Sequence, residues 1–226
     1  MNPTGKPRVK VCCISSVEEA ALAVQLGAAA LGLVSHMPSG PGVISEELIA
    51  EIVRTVPPSV GTFLLTSKQD VEAIIEQQRF CRTNCIQICD RLTSGEHHDL
   101  RRALPGISLI QVVHVVGAES IDEALAASQG VDAILVDSGN QALTIHELGG
   151  TGRVHNWAIS REIRERLSVP MFLAGGLNAT NVRRAIAGVG PFGVDLCSGV
   201  RTNGKLDREK LQAFFDEVQA ACGATV

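Results

Sequence analysis

The sequence has no tyrosine and only one tryptophan, and aromatic residues make up 3% of its 226 positions. Its core must be built from Ala, Val, Leu and Ile with abundant Gly, a composition that suits an α/β enzyme-sized domain. An excess of positive charge is also missing. Lys and Arg number 20 against 24 Asp and Glu, a net charge of −4, so no basic surface marks nucleic acid or an anionic membrane as a partner. No apolar run reaches the ~20 residues of a membrane helix, and the opening M-N-P-T-G-K-P-R has no apolar signal-peptide core. The expectation is a cytoplasmic protein. The seven cysteines are odd in number and include one adjacent pair, which argues for reduced thiols rather than a disulfide framework. No linker, low-complexity segment or charge run divides the chain, so residues 1–226 are read as one domain.

What the chain does contain is a recurrence. A short β-rich apolar run is followed by an amphipathic segment eight times. The strands are expected at 9–14, 30–34, 60–65, 85–89, 109–115, 133–136, 171–174 and 194–197. The helices are expected at 17–26, 46–56, 68–79, 96–104, 120–128, 157–167, 178–187 and 207–221, on 3.6-residue spacing such as Leu48, Ile49, Ile52 and Val53. Eight β-then-α units in this length predict a (β/α)8 TIM barrel. Alternation alone does not show closure, and a doubly wound open sheet is the alternative.

In a barrel, chemistry gathers at the C-terminal ends of the strands. The first run, V-K-V-C-C-I-S-S (9–16), ends in two cysteines. Period-2 alternation sends Cys12 and Cys13 to opposite faces and puts Lys10 on the face of Cys12. An ammonium there favours the thiolate, the nucleophilic and basic form of cysteine. Cys13 is expected to point outward into the helix layer as packing. Asp137 ends the sixth run, I-L-V-D-S. Partial burial of a carboxyl there raises its affinity for a proton and suits it to general acid catalysis. A thiolate base facing a carboxylic acid can take one proton and deliver another, which is isomerase chemistry.

Two late segments have the look of a phosphate cradle. L-A-G-G-L-N (173–178) follows the seventh run, with Gly175, Gly176 and Asn178, the last placed to cap the next helix. C-S-G-V (197–200) follows the eighth, with Ser198 and Gly199. Glycine lets backbone N–H groups approach an anion, and barrel enzymes often bind phosphate after strands seven and eight. The long segment 138–156 carries G-G-T-G, Arg153 and then Trp157, a composition that suits a lid over an anionic substrate. His114 ends the fifth run facing the mouth, within reach of substrate. His97, His98 and His146 read as surface residues. Cys81, Cys85 and Cys89 would form a stripe on one helix, but Cys85–Cys89 reads as a strand and no metal is expected.

Taken in order, V-K-V-C-C-I-S-S, G-A-A-A-L-G-L-V, I-Q-I-C, I-L-V-D-S, G-G-T-G-R-V-H-N-W, F-L-A-G-G-L-N-A-T-N-V and F-G-V-D-L-C-S-G-V resemble the phosphoribosylanthranilate isomerase family over essentially the whole chain. The resemblance implies an Amadori rearrangement of an N-phosphoribosyl arylamine in tryptophan biosynthesis, with no metal and no organic cofactor. Cys12 would be the general base and Asp137 the general acid. Lys10, His36, Gln87, His114 and Arg153 would meet the substrate, and Gly175, Gly176, Asn178, Ser198 and Gly199 its phosphate. The partner implied is a small-molecule phosphoribosyl amine, met by a monomer or homodimer. Four positions depart from the family pattern. No Arg or Lys lies between Ser35 and Ser45, where an arginine usually helps hold the anthranilate carboxylate, leaving His36 as a partial substitute. Cys89 replaces a histidine, Arg201 stands where a carboxylate is usual, and Asn156 replaces an aspartate. Cys13 also stands where glycine is common. Two alternatives follow: a related isomerase for a different phosphoribosyl amine, and a non-catalytic phosphosugar-binding paralogue.

Overall fold

The computed structural model describes residues 6–139, 148, 152 and 154–223. Eight parallel strands close into a barrel in sequence order: β1 (Arg8–Val11), β2 (Ala30–Val34), β3 (Gly61–Thr66), β4 (Cys85–Ile88), β5 (Ser108–His114), β6 (Ala133–Asp137), β7 (Met171–Leu173) and β8 (Gly193–Leu196). Between and after them run α1 (Val17–Gln25), α2 (Glu46–Thr55), α3 (Val71–Cys81), α4 (His97–Ala103), α5 (Glu119–Ala127), α6 (Trp157–Arg166), α7 (Val182–Val189) and α8 (Arg208–Gly223). The open-sheet alternative falls at one seam. β8 pairs with β1 as well as with β7, in the register Lys10↔Asp195 and Val11↔Leu196.

Alternation along each strand divides the core into two layers. Leu31, Leu33, Leu64, Ile86 and Ile134 point out to the helices. Ala30, Val34, Phe63, Leu65, Ile110, Val112, Leu135 and Phe172 fill the barrel. Helix starts are set by side-chain caps on backbone N–H groups: Ser16 accepts from Glu19, Ser45 from Leu48, and Asp70 from Ala73. α2 buries Ile49 and Ile52, the spacing its sequence predicts.

One local reading is corrected and one element is added. Asn178 does not cap α7. That helix begins four residues later, after Asn181, because Asn178 Oδ1 instead accepts from Thr180 and shapes the preceding turn. A small hairpin, β9 (Arg201–Thr202) with β10 (Lys205–Leu206), lies between β8 and α8. Its turn is Asn203-Gly204, with both residues at positive φ (51° and 79°), the conformation for which Asn-Gly is the usual hairpin signal.

Candidate active site

At the C-terminal ends of the strands lies a cleft of about 670 Å³ open to solvent. It brings together Cys12, Gln87, Asp137, Gly175, Gly176 and Ser198 from five sequence segments. Five other expected residues take different places, Lys10 among them, buried beneath Cys12. His36 is exposed, and its carbonyl accepts from the Ser67 hydroxyl at 2.8 Å. His114 shares the inward face of β5 with Ile110 and Val112, yet its Nε2 is engaged by the Cys89 carbonyl at 3.2 Å and it does not line the cleft. Asn178 and Gly199 sit behind the wall and shape it. Arg153 and His146 fall outside the described residues, as does most of the expected lid, although Leu148 and Gly152 do line the cleft.

Cys12 stands one residue past the end of β1, tied to β8 by its N–H, which donates to the Leu196 carbonyl at 2.8 Å. Beneath it Lys10 is fully buried, 2.9 Å from Asp195 Oδ2 and over the ring of Phe63. Burial works against the Lys10 charge, but Asp195 and the Cys12 sulfur outweigh it and hold the ammonium well above its ordinary range. Lys10 therefore does not line the cleft and reaches the site through its field, under the floor. Burial pushes the Asp195 carboxyl upward, with Lys10 opposing. Gly32 on β2 makes this arrangement possible. A Cβ there would lie 2.7 Å from Cys12 Sγ and 3.1 Å from Lys10 Nζ, so the two groups converge on a place where the neighbouring strand has no side chain.

Asp137 is buried at the end of β6. Its Oδ1 accepts from the Ser138 N–H at 2.6 Å and faces the Ser138 hydroxyl at 3.3 Å, which fixes the carboxyl at the wall. His155, a residue the sequence reading passed over, lies close enough to feel Asp137. Burial lowers its basicity while the carboxylate partly opposes, and its Nε2 meets Ser160 Oγ at 2.6 Å.

The end of the cleft beside β7 and β8 is made of backbone. Gly175 and Gly176 both adopt left-handed φ (88° and 62°), which only glycine reaches without strain. The Gly176 carbonyl is turned away from the cleft and held by Asn181 Nδ2 at 2.9 Å and Asn178 Nδ2 at 3.3 Å. Gly199 packs so tightly on the Leu177 carbonyl that a Cβ would collide with it. The turns after β7 and β8 thus lock together, with Ser198 on the cleft side.

Cys13 contradicts its expected direction. Alternation would carry β1 on to Ile14, but the strand stops at Val11 and Cys13 takes φ +62°. That turns its side chain to the mouth, where its sulfur lies 2.7 Å from Cys197 Sγ and 3.6 Å from the Pro41 carbonyl. Arg201 holds this turn from outside. Its guanidinium donates to the carbonyls of Cys12 and Cys13 and pairs with Glu19 on α1 at 3.0 Å. Burial opposes the Glu19 charge, but the hydrogen bond from Arg201 prevails and keeps that carboxyl below its usual range. Arg201 is therefore a staple for the end of β1.

On the other side of Cys12 the wall is Val34, Met37, Leu65 and Cys89, with Ser39 at the rim. Burial pushes the Cys89 thiol well above the ordinary cysteine range, so it stays protonated. Gln87 Oε1 is buried with no partner among the described residues. Among the described residues lining the cleft there is no Lys, Arg or His.

Comparison with known proteins decides the family. Residues 9–217 match the family model described as N-(5'-phosphoribosyl)anthranilate (PRA) isomerase. The chain belongs to the PRA isomerase family. Among its relatives, N-(5'-phosphoribosyl)anthranilate isomerase 2 of Methanosarcina mazei is 36% identical over 209 residues, 92% of each chain. Phosphoribosyl anthranilate isomerase of Thermotoga maritima superposes with a TM-score of 0.78 at 30% identity, covering 95% of this chain and 99% of that one. A second PRA isomerase structure, in complex with reduced 1-(o-carboxyphenylamino)-1-deoxyribulose 5-phosphate, gives 0.75 at 29% identity over the same shares.

Proposed function

We propose that this chain isomerises N-(5'-phosphoribosyl)anthranilate to 1-(o-carboxyphenylamino)-1-deoxyribulose 5-phosphate, a step of tryptophan biosynthesis, by acid–base chemistry carried by its own side chains. The observation that carries the reading is one cleft holding a cysteine over a buried ammonium, a fixed aspartic acid, and a glycine-built anion cradle. The phosphate is met by the backbone N–H groups around Gly175, Gly176 and Gly199 and by the Ser198 hydroxyl, with Asn178 and Asn181 holding the turn. Asp137 gives its proton to the furanose oxygen, and the ring opens to a protonated Schiff base. Cys12, as thiolate, then removes the C2′ proton to form the enol-amine, which tautomerises to the ketone; one proton is gained and one lost, so no redox partner is consumed. Lys10 lies beneath Cys12, paired with Asp195, and Gln87 Oε1 accepts from a substrate hydroxyl. Residues 1–226 act as one cytoplasmic domain, monomeric or homodimeric.

The test is the loss of anthranilate-type fluorescence on adding protein to freshly made phosphoribosylanthranilate. Cys12→Ser and Asp137→Asn should each lower kcat by about 10²–10⁴ while the protein still binds inorganic phosphate. Wild-type protein that binds phosphate and leaves the fluorescence unchanged would refute the assignment.

A further inference from the structure

The sulfurs of Cys13 and Cys197 play no part in the proton transfers, yet they are the closest pair of reactive side chains at the mouth. They lie 2.7 Å apart as free thiols, well under an ångström beyond the length of about 2.05 Å of a disulfide. The residues carrying them leave neighbouring parallel strands side by side. Such strands run about 4.8 Å apart, inside the Cα separations of roughly 4.4–6.8 Å that a disulfide bridges.

Neither sulfur is free to drift away. Cys13 is held at φ +62° by Arg201 on its carbonyl and by Gly42, whose missing side chain leaves room for the Cys13 Cβ. Cys197 is fixed by the start of the turn that carries Ser198 and Gly199. Both line the open cleft, so a small oxidant can reach them. We propose that Cys13 and Cys197 are a modification site, a preformed dithiol that a peroxide closes to a disulfide and a small dithiol reopens, clasping the first barrel strand to the last.

The chemistry divides unequally between the two. The hydrogen bond from Cys13 lowers the proton affinity of Cys197, and the Arg201 charge adds to it, against burial and Asp195. Hydrogen bonding to Cys12 and Cys197, with burial, keeps Cys13 protonated. Cys197 is then the attacking thiolate. Its sulfur takes an oxygen from the peroxide, the O–O bond breaks, and the departing hydroxide leaves as water on protonation. The Cys13 sulfur displaces hydroxide from the resulting sulfenic acid, giving up its proton, and a second water departs with formation of the S–S bond. The two electrons lost by the sulfurs are those gained by the peroxide.

Closure of this bond can be read on the protein alone, without substrate. The full chain, reduced and then treated with stoichiometric hydrogen peroxide, should lose about 2 Da and two titratable thiols. Peptide mapping should join Cys13 to Cys197, and dithiothreitol should restore both thiols. Because the bond closes almost the whole chain into a loop, the oxidised form should melt about 5–10 °C higher. Cys13→Gly, which suits the left-handed backbone, and Cys197→Ser should each abolish the link and the shift. A link that uses Cys12 and survives in Cys13→Gly would overturn the proposal. So would sulfinic acid in place of a disulfide, or a linked form that melts no higher than the reduced one.

Discussion

Cys12 separates two regions built from different materials. On one side, the turns after β7 and β8 are backbone: two glycines at positive φ, a third pressed on a carbonyl, and asparagines spent on holding the turn. On the other, the wall from β2 to β4 is side chains, apolar except for Ser39 at the rim and Gln87 below it. A backbone site is fixed by the fold and is lost only when a glycine is. A side-chain site changes with any substitution, and it is here that two of the family departures fall: the missing loop arginine and Cys89 in place of histidine. In the proposed reaction, anion binding rests on topology while recognition of the amine rests on a few replaceable residues.

Four experiments press on that division. Both regions stand on the Lys10–Asp195 pair, so Lys10→Met should do the most damage, leaving a buried carboxylate unpaired at a cost of about 3–5 kcal/mol in urea unfolding. Adding Asp195→Leu should recover most of that loss; no recovery would mean the pair is not the common support. Next, Gly199→Ala should force the two turns apart, costing about 1–3 kcal/mol and raising KM at least about tenfold with a smaller change in kcat. Equal binding of inorganic phosphate by this variant and wild type would show that the cradle is not built from the backbone. On the other side, Met37→Arg should lower KM for phosphoribosylanthranilate about tenfold, the worth of one charge-assisted hydrogen bond, with stability unchanged. An unaltered KM would show that the carboxylate is met elsewhere.

The smallest effect concerns His155. Its folded pKa lies below the unfolded value of 6.5, so the folded chain binds fewer protons and stability rises with pH across that interval. Wild-type stability should therefore decline as pH falls below about 6.5 and level off once the folded pKa is passed. His155→Gln should flatten that part of a urea-midpoint profile.

The barrel was legible because each of its eight units repeats a local pattern, two-residue alternation followed by 3.6-residue spacing. Closure was not, since the β1–β8 register depends on residues some 185 positions apart, such as Lys10 and Asp195. The same distance hid the role of Arg201, whose partner Glu19 lies at the other end of the chain. The position of Cys12, Asp137 and the glycine turns at the cleft was readable because a polar or glycine residue ending an apolar run has few other uses. Cys13 was misread because alternation holds only while a strand continues, and a cysteine gives no sign that its φ is positive; the glycine usual at this position was the available clue. The 201–206 hairpin did announce itself, in Asn203-Gly204, and that signal went unused.

The ion pair across the seam also constrains how the molecule comes into being. Lys10 is made 185 residues before its counter-ion Asp195, yet in the finished barrel the ammonium has no exposure to water. A lysine cannot be buried charged without a partner except at a cost of several kcal/mol, so during synthesis β1 has to keep this side chain in solvent until the eighth strand has emerged. The N-terminal units can form helices and pair their strands meanwhile. The floor of the cleft can therefore be completed only once residue 195 has been made.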